Sequence, residues 1–175
     1  MKRSLALLGF LLALCAIGIG DSDGAGGPAR LYRNDAMKVR AFQPPPGWEL
    51  APQTSYPRLL ASYSNGEGGR ITLSAQKIAP GATAERLAEA GRAGLAKEGF
   101  SAFVLKPDGD RVRLSAHLAA GRRRLEQLYV VDEGIGYVVT LVTPDDVARR
   151  MTEDFEAALR SLQVGSGAAR PAKPR

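Results

Sequence analysis

The chain has one cysteine, one histidine and one tryptophan in 175 residues, and only 6% of its residues are aromatic. These scarcities exclude whole classes of chemistry. The single thiol, Cys15, lies in the N-terminal leader. The residues beyond it form no disulfide, no cysteine metal site and no thiol nucleophile. One histidine, His117, is too few for a histidine-based zinc site. A serine–histidine–aspartate site would need that same residue, and no Gly-x-Ser-x-Gly elbow accompanies it. Asp108-Gly109-Asp110 lacks the spacing and closing glutamate of a calcium loop, and is expected to be a hairpin turn. No catalytic residue, metal or cofactor is expected.

Positive charge is in surplus: 24 Lys and Arg against 18 Asp and Glu, a formal net charge of +6. Its distribution matters more than its size. Lys2 and Arg3 lie in the leader, and Arg170, Lys173 and Arg175 lie in a Gly/Ala/Pro tail. Setting those five aside leaves 19 basic residues against the same 18 acidic ones. A nucleic-acid module carries its charge as a patch on the folded surface, so no nucleic-acid partner is expected.

Met1–Arg3 is basic and Leu5–Ile19 is an apolar run, which is the layout of a secretory signal peptide and short for a membrane span. The expected organisation is a signal peptide over 1–20, a Gly-rich linker over 21–30, one domain over 31–164 and a basic tail over 165–175. The leader has two endings. Gly18-Ile19-Gly20 before Asp21 supplies the small residues a signal peptidase takes, giving a periplasmic or secreted protein. Leu12-Ala13-Leu14-Cys15 resembles a bacterial lipobox, although Leu14 stands where that motif has a small residue. Cys15 is therefore a candidate lipidation site, and membrane contact is expected only if it carries a lipid.

Within the domain, Lys38–Phe42 has strand character and ends at the prolines of Gln43-Pro44-Pro45-Pro46-Gly47, which cannot donate to a ladder. Trp48 is expected to anchor the returning loop in the core. Leu59–Tyr63 and Arg70–Ile78 form a hairpin around a Gly-rich loop. That loop joins two strands and opens no helix, so it is no phosphate cradle. Thr83 caps a helix from Ala84 to about Lys97, with Gly99 at its end. Gly91 and Gly94 on its inner face imply close approach to a sheet.

Four strands follow: Phe100–Leu105, Arg111–Leu118, Arg123–Val131 and Tyr137–Val142, with turn residues between them. Pairing through a turn at Asp132-Glu133-Gly134 places Tyr137, Val139 and Leu141 on the face of Val112, Leu114, Leu125, Tyr129 and Val131. Leu128, Val130, Val138 and Val142 then share the other face with Arg113, Ser115, His117, Arg124 and Glu126. Apolar content on both faces favours cover on both. Thr143-Pro144-Asp145-Asp146 has the composition of a helix start, and a stripe from Val147 to Leu162 follows.

One constellation has binding chemistry. Arg111, Arg113, His117, Arg122, Arg123 and Arg124 gather around the Gly121 turn, with Glu126 as the nearby acid. This is a candidate cationic patch for an acidic partner or headgroup; alternatively, the arginines keep a sheet edge from pairing. His117 faces Arg124, with Glu126 as a carboxylate on the diagonal, and is expected to be a surface or structural histidine. The helix dipole accounts for Asp145 and Asp146.

The ordered set resembles the PsbP-like family, which includes the extrinsic photosystem II subunit and bacterial DcrB-related proteins. The residues are Phe42 before Pro46-Gly47-Trp48, the hairpin ending Ile71–Ala75, and the Leu87–Leu95 helix before Gly99-Phe100. Gln127-Leu128-Tyr129-Val130-Val131, Gly136-Tyr137-Val138-Val139-Thr140 and Phe155–Leu162 complete it. The resemblance implies an α/β/α sandwich: an α+β fold with an antiparallel sheet of about six strands and helices on both faces. It also implies a non-catalytic role in assembly, docking or chaperoning, and brings no catalytic residues. The expected function is that of an exported, non-catalytic binding or accessory protein of the bacterial envelope, meeting another envelope protein or an anionic surface. The alternatives are an envelope enzyme with a carboxylate or arginine pocket, or a lipid-anchored protein docking on membrane or wall polymer.

Overall fold

A computed structural model describes residues 30–51 and 58–165. The expected signal peptide, Cys15, most of the expected linker and the tail beyond Gly165 lie outside the described residues. Ten strands and two α-helices follow in order: β1 Tyr32–Asn34, β2 Val39–Phe42, β3 Glu49–Leu50, β4 Leu59–Ser64, β5 Arg70–Lys77, α1 Ala84–Lys97, β6 Ser101–Asp108, β7 Arg111–Leu118, β8 Arg123–Asp132, β9 Ile135–Pro144, α2 Ala148–Ser161 and β10 Gln163–Val164. The main sheet has seven strands in the order β3-β4-β5-β9-β8-β7-β6, and β1, β2 and β10 form a second sheet of three. Every pairing is antiparallel.

The six expected strands of the hairpin and meander are all in the main sheet, with the two-residue β3 added at one edge. The Lys38–Phe42 strand is elsewhere. It pairs with β1 and with β10, the two residues that follow α2. A local pattern cannot show this, because a two-residue strand carries no alternation to detect.

β9 is the central strand, buried from Ile135 to Thr143. It pairs with β5 on one side and β8 on the other, so the last long strand lies between strands that precede it in the chain. The β8–β9 turn has two residues, Glu133 (φ 46°) and Gly134 (φ 75°), both left-handed as a tight hairpin turn requires. Asp132 therefore pairs with Ile135, and Val130 with Tyr137. This corrects the face assignment. A turn counted as three residues slips the pairing by one and sends each β9 side chain to the wrong face.

Two apolar clusters draw on alternate residues of these strands. Leu87, Ala88 and Leu95 of α1 join Val112, Leu114, Leu125, Tyr129, Val138 and Val142. Met151, Phe155 and Ala158 of α2 join Ile71, Leu73, Leu128, Val130, Tyr137, Val139 and Leu141. Successive strand residues point to opposite faces of a sheet.

α1 starts and stops as its end residues dictate. The Thr83 hydroxyl accepts from the Arg86 amide at 3.4 Å. At the other end Gly99 (φ 88°) turns the chain, with its amide donating to Ala96 and the Phe100 amide to Leu95. At Gly91 the helix lies close against the sheet: a Cβ there would overlap the Tyr129 hydroxyl and lie 2.8 Å from its Cζ. That hydroxyl donates to Gln127, whose amide donates to Thr140 at 3.0 Å, a buried polar chain beneath α1.

α2 does not begin at Thr143. β9 continues through Pro144, which pairs with Arg123, and Asp145–Val147 make a turn before the helix starts at Ala148. Ladder pairing with β8 outweighs the local helix-start composition. Thr143 is a buried ladder residue whose hydroxyl lies 3.0 Å from Met151 Sδ. Trp48 is buried as expected, with its indole N–H donating to Asp154 at 2.9 Å.

A candidate docking surface at one end of the sheet

The six residues expected to form one cationic patch do not. β7 runs the length of the sheet, so its two ends lie on different parts of the surface. Arg111 is at the β6–β7 turn, opposite Asp108. Arg113 is committed to structure: its guanidinium donates to Asp108 at 3.0 Å and to both carboxylate oxygens of Glu156 on α2. The hydrogen bond it donates to Glu156 is the main reason its proton is held more tightly than that of an ordinary arginine.

His117 sits across from Arg124, as the pairing predicts. Its carboxylate partner is not Glu126. The imidazole Nε2 lies 2.9 Å from Asp145 Oδ2, whereas Glu126 accepts from the Thr152 hydroxyl at 2.8 Å. The helix-dipole account of Asp145 fails because α2 starts only at Ala148. The residue sits in the turn ahead of α2, where its amide donates to the Arg122 carbonyl at 3.0 Å. The pair thus fastens β7 and the β7–β8 turn to the segment that leads into α2. It joins segments and positions no nucleophile.

Arg122, Arg123 and Arg124 remain, and the fold adds others to them. The segment 142–150 is the hub. Pro144 pairs with Arg123, Thr143 with Arg124, and Val142 with both Leu125 and Arg70. Asp145 holds the turn bearing Arg122, whose backbone is left-handed at φ 45°. Arg149 and Arg150 open α2 from the same segment, and Arg150 is ion-paired with Glu67 of the β4–β5 loop. Six arginines from three separate stretches therefore rim one end of the main sheet. Arg70, Arg122, Arg123, Arg124 and Arg149 form no ion pair with any described residue. The acids at this end are partly spent, Asp145 on His117 and Glu67 on Arg150.

Arg70, Arg149 and Arg150 escape sequence reasoning because only register and the path from β9 into α2 bring them here. Beside the rim are two open clefts that share Arg150. One, about 480 Å³, is lined by Trp48, Asn65, Glu67 and Asp154. The other, about 430 Å³, is lined by Asp146, Arg149 and Glu153. Both mix signs of charge. Among the described residues no group of His, Cys, Asp and Glu is placed to hold a metal ion.

The fold is that of the PsbP-like proteins. The structure is similar to the solution structure of cyanobacterial PsbP from Synechocystis, with a TM-score of 0.56 and 14% sequence identity over 84% of this chain and 99% of that one. A scan against protein-family models finds no match, and neither does a search of curated proteins. The likeness is one of architecture. At this identity it extends to fold and carries no residue of function.

Proposed function

We propose that this chain is an exported, non-catalytic binding or accessory protein of the bacterial envelope, and that the arginine rim is its docking surface. The observation that carries the reading is the gathering of Arg70, Arg122, Arg123, Arg124 and Arg149 around residues 142–150 without ion-pair partners among the described residues. Arginines that serve the fold behave as Arg113 does, fully engaged with carboxylates. A rim of uncommitted like charge costs self-repulsion, and an oppositely charged partner relieves it. The apolar leader supports export. The arrangement of helices implied by the resemblance, one on each face of the sheet, fits the alternate membership of the two clusters.

The test is fractionation. Full-length protein is expressed in a bacterium alongside R122E/R123E/R124E. The reading expects the parent in the envelope fraction, released by salt, and the variant free of it. Equal, salt-resistant association of both would overturn it. The anchored alternative rests on Leu12–Cys15, and metabolic labelling with a palmitate analogue decides that point separately.

A further inference from the structure

We infer that the occupant of the rim is an anionic lipid bilayer, met end-on with the strands of the main sheet directed toward it. This rests on the docking reading above and narrows it to one surface. Three observations favour lipid over a protein partner. First, protein–protein interfaces are built around an apolar, often aromatic, centre. The exposed large apolar residues are Leu31, Leu50 and Val104, and none lies in the stretches that bear the rim arginines. Second, the arginines come from both faces of the sheet and from the turn between them. Arg123 and Arg70 follow the alternation of the α1 side, and Arg124 that of the α2 side. They surround a blunt end, and the clefts beside it, which Arg149 and Arg150 line, are open and also carry acids. A planar field of headgroups matches that layout, since each arginine finds a phosphate without a fixed geometry.

Third, the opposite end of the sheet is built differently. Its two hairpin turns carry Asp108, Asp110, Asp132 and Glu133. Those turns point away from a bilayer that the rim contacts, so the charge layout orients the molecule as well as attracting it. Of the basic residues at that end, Lys38 is engaged with Glu133 and Arg113 with Asp108 and Glu156, while Arg111 stands opposite Asp108 and Lys77 opposite Ile135 among these acids.

The experiment is vesicle sedimentation of the full chain at low salt, with 3:1 phosphatidylcholine:phosphatidylglycerol vesicles against pure phosphatidylcholine. The neutral vesicles report whatever the apolar leader contributes, and the basic tail is identical in every variant. The parent should prefer the anionic vesicles, and the preference should vanish at high salt as charges are screened. Each arginine near a bilayer is worth roughly a fivefold gain in binding. R122E/R123E/R124E should therefore lose about a hundredfold or more of the preference, and R149E several-fold. K106E, on β6 away from the rim, should retain it. Circular dichroism verifies that the variants are folded. An unchanged preference in both rim variants would overturn the inference. A third arm uses polyglutamate immobilised on beads. Rim-dependent capture by polyglutamate with no vesicle preference overturns the lipid assignment and leaves the docking reading standing. Failure of both arms overturns both.

Discussion

His117 Nε2 lies 2.9 Å from Asp145 Oδ2, so the sole histidine ties the end of β7 to the turn that leads into α2. The other oxygen of Asp145 is buried without a partner, which makes this contact the only one its carboxylate has among the described residues. Asp145→Ala should cost about 1 kcal/mol of stability, the usual worth of one hydrogen bond of this kind. Amide resonances of 119–122 and of the first turn of α2 should shift together. A change confined to residue 145 and its sequence neighbours would show that the pair fastens nothing.

Gly91 offers a test with a predicted sign opposite to helix propensity. Alanine is the better helix former by about 1 kcal/mol. Here its methyl would overlap the Tyr129 hydroxyl, so Gly91→Ala should destabilise by about 1–3 kcal/mol, the range for overpacking. Tyr129→Phe in the same chain should recover part of the loss, because Cζ still lies 2.8 Å from the new atom. Denaturant titration of the two singles and the double measures the coupling. Additive losses would mean that helix and ring do not meet.

Tyr137 makes the fold sensitive to alkali. Burial, with the nearby charges of Asp132 and Glu133, pushes its phenol from 10.0 up to about 12. Burial alone raises Tyr129 as well. Raised phenols contribute stability that is whole below pH 10 and is lost as pH climbs toward the folded value, because the unfolded chain releases its protons first. The denaturation midpoint should hold steady to about pH 10 and fall between pH 10 and 12. Tyr137→Phe, which also loses the hydrogen bond to the Met37 carbonyl at 2.9 Å, should start lower and fall less steeply. A parallel fall in both proteins would assign the effect to other groups.

The lone tryptophan reports on its own burial. Trp48 is 2% exposed and donates to Asp154 at 2.9 Å. Its emission should be blue-shifted in the folded state and move to the red on unfolding in step with far-UV circular dichroism. Trp48→Phe should cost about 1–3 kcal/mol, combining lost contact area with an orphaned partner. Emission typical of exposed indole in the native protein would contradict the structure.

Arg113 and the rim arginines should separate by phenotype. Arg113→Ala breaks a half-exposed network of three charges and should lower stability by about 1 kcal/mol. R122E/R123E/R124E, outside any ion pair with described residues, should stay within about 0.5 kcal/mol of the parent. Stability measured by urea denaturation then sorts structural from docking arginines before any binding assay. A triple variant as damaged as Arg113→Ala would place the rim in the fold.

How much of this was legible from the chain depends on the range of the cause. Short-range chemistry spoke plainly. Thr83 and Gly99 at the ends of α1, the alternation of β5 and the close-packed Gly91 all act within a turn or two of backbone. Each appears in the structure as its residues require. Long-range decisions did not speak. Whether the β8–β9 turn has two residues or three rests on the left-handed backbone of Glu133 and Gly134, yet it assigns every side chain of β9 to a face. The local helix-start signal at Thr143 lost to a ladder with a strand some twenty residues earlier. The candidate patch was divided by the length of β7 and rebuilt by register. Arg113 went to a half-exposed ion-pair network with Asp108 and Glu156, and Arg70, Arg149 and Arg150 joined Arg122–Arg124 at the far end of the sheet. Composition alone determined which kinds of chemistry this protein has at hand. Strand pairing decided where its charges stand, because a sheet joins residues by register and not by their order along the chain.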